Sequence, residues 1–285
     1  LRLAPALFAE REEQDAFIQA VMAGESREPA ILVLQDREEI RAFPREFPEP
    51  WQPEFVVRLR SDFRAGKHPL YEKGAFYSFD FSSAFAASLM QAVASPARRV
   101  LDLCASPGGK AVFAWRLFRP VTLFCNEVIH KRTGALIANL DRCRIKGSAV
   151  WSADPSVYAR RAAASFDLVL ADVPCSGQSL LAKGESADGC FLPHMVDKCV
   201  GRQRRIAGMG AQCTAPGGHL LYMTCTYTAK ENERVVEWLA RTYPEMEAVE
   251  FPAMARFRSS LSDLPCYRLF PQQGLGAGAF ACLLR

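Results

Sequence analysis

The chain carries ten cysteines, at positions 104, 125, 143, 175, 190, 199, 213, 225, 266 and 282, and two of them stand out by their surroundings. Cys175 lies in Ala171-Asp172-Val173-Pro174-Cys175-Ser176-Gly177, directly behind a strongly apolar stretch, FDLVLA. Cys225 lies in Tyr222-Met223-Thr224-Cys225-Thr226-Tyr227, at the end of the next apolar run. A thiolate is a strong nucleophile, but a thiol of pKa near ~8.5 needs a neighbouring cation or donor to favour that form. Taken alone, either cysteine reads as a small buried hydrophobe. Two thiols at neighbouring strand ends, beside Asp172, read instead as a reactive pair.

A third segment has the grammar of a ligand loop. In Leu101-Asp102-Leu103-Cys104-Ala105-Ser106-Pro107-Gly108-Gly109-Lys110, a strand ends, the chain turns on small residues and a helix starts. Paired glycines let backbone approach a ligand, and helix N-terminal amides favour an anionic group. The string is not a phosphate-binding Walker loop: Cys104 stands for its first Gly and Ala111 for its Ser/Thr. Nor is it the Gly-x-Gly-x-x-Gly of dinucleotide folds. Glu127 closes the following strand, and an acid there suits the two hydroxyls of a ribose. A nucleoside cofactor without a pyrophosphate is the expectation.

The elements needed to position these residues can be read from the apolar pattern. Strands are predicted at 100–103, 121–125, 149–151, 166–171 and 219–224, with helices at about 110–118, 131–143 and 196–213. Gln178–Pro193 reads as irregular and Pro216-Gly217-Gly218 as a turn. Thr228-Ala229-Lys230-Glu231 fits a capping box, which predicts a helix running to Arg241. Strands near 247–251 and 279–284 close the chain. Repeated strand–helix units with short links predict a doubly wound α/β sheet, whose ligands sit beyond the carboxyl ends of the strands. Ahead of it, a helix at 12–22, strands at 30–34 and 55–59 and the prolines 44, 48, 50 and 53 predict a small α/β unit. The expected domains are therefore 1–72 and 73–285.

Composition narrows the classes further. Of 285 residues, 49% are hydrophobic and 23% charged, so a large core is expected and global disorder is not. No apolar run approaches the ~20 residues that span a bilayer, so no membrane partner is expected. Leu1–Ala9 lacks the layout of a signal peptide, and an opening on Leu1 is what a fragment would show. The absence of any Cys-x-x-Cys pair and a count of only four His argue against a structural zinc site, so no metal is expected. Free thiols point to a reducing, cytoplasmic setting. The net charge of +4 permits a polyanionic partner without demanding one. Basic residues cluster at Arg142, Arg144 and Lys146, at Arg160 and Arg161, and at Lys198, Arg202, Arg204 and Arg205. Each alone reads as a solvated face; several around one cleft would mean more.

With DLCASPGGK, the acid in CNEVIHKR, FDLVLADVPCSG and PGGHLLYMTCTYTAKENERVVEWL in hand, the chain resembles the NOL1/NOP2/Sun family of S-adenosylmethionine-dependent RNA cytosine-5 methyltransferases, related to the bacterial Fmu/RsmB enzymes. YEKGAFYSFDFSSAFAA and the terminal YRLFPQQGLGAGAFACLLR also resemble family segments. The resemblance covers residues 70–285, with a weaker likeness at 30–60 to a small N-terminal domain. It implies a class I methyltransferase, Rossmann-like seven-stranded sheet preceded by a small RRM-like α/β domain. It implies S-adenosyl-L-methionine as cofactor, with Cys104, Ala105, Ser106, Pro107, Gly108, Gly109 and Lys110 around the methionine, Glu127 on the ribose, Arg132 just behind it and Asp154 near the adenine. Cys225 would be the nucleophile, Cys175 would help release product, and Asp172 and Lys110 would handle the cytosine.

The implied partner is RNA, ribosomal first and transfer RNA as the alternative, bound by a monomer. A non-catalytic RNA-binding or ribosome-assembly factor on the same fold is the other reading. Ser106, Gln178-Ser179, Pro271-Gln272 and Ala277-Gly278-Ala279-Phe280 depart from the family's usual residues, which bears on substrate contacts more than on chemistry.

Overall fold

The computed structural model describes residues 3–285; Leu1 and Arg2, at the start of the expected first domain, lie outside the described residues. The apolar run PAILV forms β1 (Pro29–Val33), the centre of a small antiparallel sheet. Its neighbours are β2 (Val56–Arg58) and β3 (Phe76–Asp80), in the order β2-β1-β3. Successive strand side chains point to opposite faces, and here both faces are covered. Ile31, Val57 and Phe76 pack with Phe43, Leu59 and Leu70 in a core of their own. Ala30, Leu32, Val56 and Tyr77 face the other way and join the main core. The sheet therefore takes its third strand from beyond residue 72, and one face of it is continuous with the larger unit.

The second sheet holds β4 (Arg99–Asp102), β5 (Thr122–Asn126), β6 (Ser148–Trp151), β7 (Phe166–Asp172), β8 (Thr214–Thr224), β9 (Tyr267–Leu269) and β10 (Ala279–Leu284). Their order is β6-β5-β4-β7-β8-β10-β9. Strands β4 to β8 run parallel, and β10 lies antiparallel between β8 and β9. This is the doubly wound seven-stranded sheet that the sequence predicted. Strand β7 explains why both faces must be covered. Its Leu168 and Leu170 enter one core, while Val169 and Ala171 enter the other, and all four are fully buried. Each such leucine contributes about 1.5–3 kcal/mol by leaving water. The chain winds from β4 outward to β6, then crosses back to β7 on the other side of β4. The crevice between the carboxyl ends of β4 and β7 is thus the switch point where ligands bind.

Three expectations need correction. The turn Pro216-Gly217-Gly218 lies inside β8, as an irregularity where pairing shifts from Phe166–Thr214 to Leu168–His219. A Cβ on Gly218 would come within 2.9 Å of Phe166 O, so only glycine lets the strand fold back against β7 there. The helix after Cys225 begins at Glu233, not at Thr228, and Asn232 precedes it. Glu231 does not close a capping box, because its carboxylate is bonded elsewhere, as described below. Residues 247–251 make a single bridge, Ala248 to Leu284, rather than a strand; the strand paired to the outer side of β10 is Tyr267–Leu269.

Candidate active site

The loop after β4 is built by backbone demands. Gly108 sits at φ +116, a conformation L side chains rarely adopt, and the helix Gly109–Phe118 starts immediately after it. Its carbonyls are held by the next helix, His130–Arg142. Arg132 Nη2 donates to Ser106 O at 2.8 Å, and Asn139 Nδ2 donates to Pro107 O at 2.9 Å. Ser106 Oγ returns a bond to Arg132 O at 3.0 Å. Arg132, expected behind the ribose acid, therefore also clamps the loop. The cleft beneath is lined by Tyr77, Phe79, Asp102, Cys104, Lys110 and Asp172 among others.

Asp102 is the residue that the sequence reading did not assign. It is 1% exposed, and its Oδ1 accepts from Cys104 N at 3.2 Å. Its Oδ2 has no partner. Burial, then the charge of Asp172, pushes its carboxyl up to about 7. An unpaired acceptor buried beside a glycine loop calls for a cationic or donor group from a ligand. The signal was present in the sequence, as an acid ending a strand just before the small-residue turn. Cys104 lines the same cleft, but burial, then Asp102, pushes its thiol well up, which keeps it protonated and unreactive.

Glu127 and Asp154 follow the tips of β5 and β6, as expected, but neither lines that cleft. Glu127 is 3% exposed; its Oε1 accepts from Ile129 N at 2.9 Å and its Oε2 lies 3.4 Å from Arg132 Nη1. Asp154 caps the helix Pro155–Arg161 through Ser156 N at 3.0 Å and pairs with Arg205. The Ser156 bonds, then Arg205, hold its carboxyl down at about 2.

The two cysteines do meet. Asp172 pairs with Met223 across β7 and β8, so the loops beyond these strands leave the sheet side by side. The sulfurs of Cys175 and Cys225 stand 3.2 Å apart, with both thiols free. They are driven in opposite directions. The bond from Cys175 holds the Cys225 thiol below its ordinary range; burial and Asp172 oppose this, and Lys110 adds to it. The same bond, with burial, pushes Cys175 well up. Of the two thiols, Cys225 is therefore the one more readily ionised. Lys110 Nζ lies 2.9 Å from Asp172 Oδ2, with side chains 16% and 32% exposed. Burial pulls Lys110 down, but Asp172, Cys225 and Asp102 outweigh it, so it stays a cation close to Cys225.

Two buried side chains hold the thiol-bearing loops in register. Glu231 is fully buried and accepts from Ser176 N at 2.9 Å, Ser176 Oγ at 2.5 Å and Gln203 Nε2 at 2.7 Å. Ser176 Oγ also lies 2.9 Å from Thr226 Oγ1, so residues next to each cysteine share one anchor. Gln178, 1% exposed, accepts from Tyr227 N at 3.0 Å and Thr228 N at 3.2 Å, and donates to Cys190 O at 3.0 Å. Its departure from the family's usual glycine is thus structural, pairing two buried amides. Below them, Arg268 forks onto Glu233 in a pair 4% and 0% exposed and donates to Tyr227 O at 2.7 Å. Breaking such a buried pair by removing one partner costs about 3–5 kcal/mol. No cluster of three or more His, Cys, Asp or Glu suited to a metal occurs among the described residues. No described helix is long and apolar enough to cross a membrane.

Comparisons with known proteins bear on the family and the fold. A family model described as 16S rRNA methyltransferase RsmB/F matches residues 91–285. The ribosomal RNA small subunit methyltransferase F of Serratia proteamaculans is 31% identical over 246 residues, which are 84% of this chain and 51% of that protein. The Escherichia coli protein of the same name matches to the same extent. The chain thus spans about half the length of the curated relatives it matches. Among solved structures, NSun6 from Pyrococcus horikoshii superposes with a TM-score of 0.81 at 17% identity, covering 100% of this chain and 96% of that one. A methyltransferase homolog from the same organism gives 0.78 at 21% identity, covering 98% and 92%. At those identities the likeness bears on the fold. The family match runs through the glycine loop, Asp172 and both cysteines, and the chain belongs to the RsmB/F family of 16S rRNA methyltransferases.

Proposed function

We propose that the chain is an RNA cytosine-5 methyltransferase acting on ribosomal RNA, with S-adenosyl-L-methionine as donor and a covalent bond between Cys225 and carbon-6 of the cytosine. The observation that carries the reading is the 3.2 Å approach of Cys175 and Cys225 beside the Lys110–Asp172 pair. Carbon-5 of cytosine is too weak a nucleophile to attack a methyl group unaided. Addition of the Cys225 thiolate at carbon-6 makes the ring enamine-like, and carbon-5 becomes nucleophilic. In this state Asp172 accepts from the exocyclic amine and, once N3 has taken a proton, from N3–H, while Lys110 donates to the carbonyl. With the methyl on carbon-5, water takes the carbon-5 proton, the electron pair of that C–H bond restores the 5,6 double bond, and the Cys225–carbon-6 bond breaks to return a thiolate that the Cys175 S–H assists as leaving group.

The residues around the loop fit the cofactor. The unpaired, buried Oδ2 of Asp102 suits an ammonium, and the backbone of Cys104–Lys110 suits the rest of a methionine. Glu127, Arg132 and Asp154, which lie outside that cleft beyond β5 and β6, would take the nucleoside end of the cofactor. When bound, S-adenosyl-L-methionine supplies the electrophilic methyl. The names of the curated relatives favour ribosomal over transfer RNA. Ten free thiols support a reducing cytoplasm, with the chain acting as a monomer.

The test is trapping with RNA containing 5-fluorocytidine, in which carbon-5 has no proton to lose. Wild type forms a stable adduct and Cys225→Ala forms none; an adduct that survives Cys225→Ala sinks the nucleophile assignment. With ordinary RNA, Cys175→Ala accumulates the covalent complex.

A further inference from the structure

Past Cys225 the chain runs through Tyr227 to Lys230, where a cleft opens between the helices Pro193–Cys213 and Glu233–Thr242. Four cations line it: Arg204, Lys230, Arg234 and Arg241, against one acid, Asp197. They come from two helices and a turn, so the basic cluster seen along 198–205 gains three members that linear order keeps apart. Arg204 is fixed rather than loose. Its guanidinium lies 5.7 Å from the centroid of the Trp238 ring, and its Nε is buried without a hydrogen-bond partner. Neither Arg204 nor Arg241 has an ion pair among the described residues. Lys230 meets Asp197 at 3.0 Å in a largely exposed pair, and Arg234 meets Glu237 with its own side chain half exposed. Exposed pairs contribute only about 0–1 kcal/mol and yield readily to a stronger anion.

The cleft is tied to the thiols through a short frame. Lys230 is five residues from Cys225, a span of at most about 18 Å even fully extended. Gln203, adjacent to Arg204, donates to Glu231, and Glu231 holds Ser176 beside Cys175. An array of cations at fixed offset from a nucleophile, with a planar guanidinium left unpaired, matches consecutive phosphates of a strand better than a single small anion.

We infer that this cleft is a phosphate-backbone site for the RNA strand whose cytosine is presented to Cys225. The inference rests on the proposed function and adds where the strand runs: over the Arg204–Lys230–Arg234–Arg241 surface. These residues position the strand and touch no reacting atom.

The test is fluorescence anisotropy with a single-stranded, cytosine-containing RNA at several KCl concentrations. The variant is Lys230→Ala with Arg241→Ala, both at exposed positions. Each lost phosphate contact flattens the slope of log K against log salt by about 0.7 for single strands, so the double variant is expected about 1.4 shallower and weaker at low salt. Arg204→Gln, which keeps a planar donor but no charge, is expected to flatten it by about 0.7. Calorimetric affinity for S-adenosyl-L-methionine checks that the variants remain folded. A wild type that binds RNA, with a double variant matching it in affinity and slope, overturns the site alone. A wild type that binds no RNA overturns the site and the substrate assignment together.

Discussion

Replacing Cys175 by alanine isolates the bond on which the thiol pair depends. The first cause of the lowered Cys225 pKa is the hydrogen bond from Cys175, and alanine removes it while leaving Lys110 and Ser179 in place. The opposing causes, burial and Asp172, remain at full strength. A hydrogen bond to a charged group contributes about 1.5–3 kcal/mol. One pKa unit corresponds to about 1.36 kcal/mol, so the Cys225 pKa should rise when this bond is lost. At neutral pH the thiolate fraction would then fall about 10–100-fold. The assay is alkylation by iodoacetamide as a function of pH, read at the Cys225 peptide by mass spectrometry. Cys104, Cys125 and Cys213 supply internal references, since burial pushes each of them up. A midpoint for Cys225 that stays put or moves down in Cys175→Ala refutes the reasoning, because the neighbouring thiol would not then be what stabilises the thiolate.

Two further outcomes follow from the buried carboxylates. Asp102 is raised to about 7 by burial, then Asp172, so the carboxylate must lose a proton before it can receive an ammonium. Cofactor affinity by calorimetry should therefore fall about tenfold per pH unit as pH drops below 7, and Asp102→Asn should flatten that dependence. The sign for stability is opposite: a carboxyl raised on folding favours the protonated state, so without cofactor this group makes the fold more stable as pH falls from about 7 towards 4. Glu231→Ala leaves Ser176 N and Gln203 Nε2 without their acceptor, at a cost of about 1–3 kcal/mol per unsatisfied group. Thermal denaturation should show the loss, and methyl transfer should fall further than cofactor affinity, because Ser176 and Thr226 flank the two cysteines; unchanged methyl transfer would deny Glu231 its hold on the loops.

Elements with strong periodicity were the readable ones. Strands β4 to β7, and the helices predicted after β4, β5 and β7, appear within a few residues of their predicted bounds, and β7, buried on both faces, has few other conformations to take. Residues 247–251 misled because the alternation in Glu247-Ala248-Val249-Glu250-Phe251 can be satisfied by a single bridge to β10 when a neighbouring segment, Tyr267–Leu269, takes the edge. The Thr228–Glu231 string misled because a buried glutamate goes where donors are concentrated, and three of them come from Ser176 and Gln203.

The residue types and their order along the chain were enough to give the doubly wound sheet, the glycine loop, the acid after β5 and two cysteines on neighbouring strand ends, since each depends on local backbone rules or on strand alternation. Only the tertiary structure decided which thiol is the more readily ionised, that Asp102 keeps an unpaired oxygen, that Gln178 and Glu231 brace both loops, and that Arg204 shares a cleft with Arg241. Those are properties of distance and burial between residues far apart in sequence, and charge follows distance and dielectric rather than order along the chain.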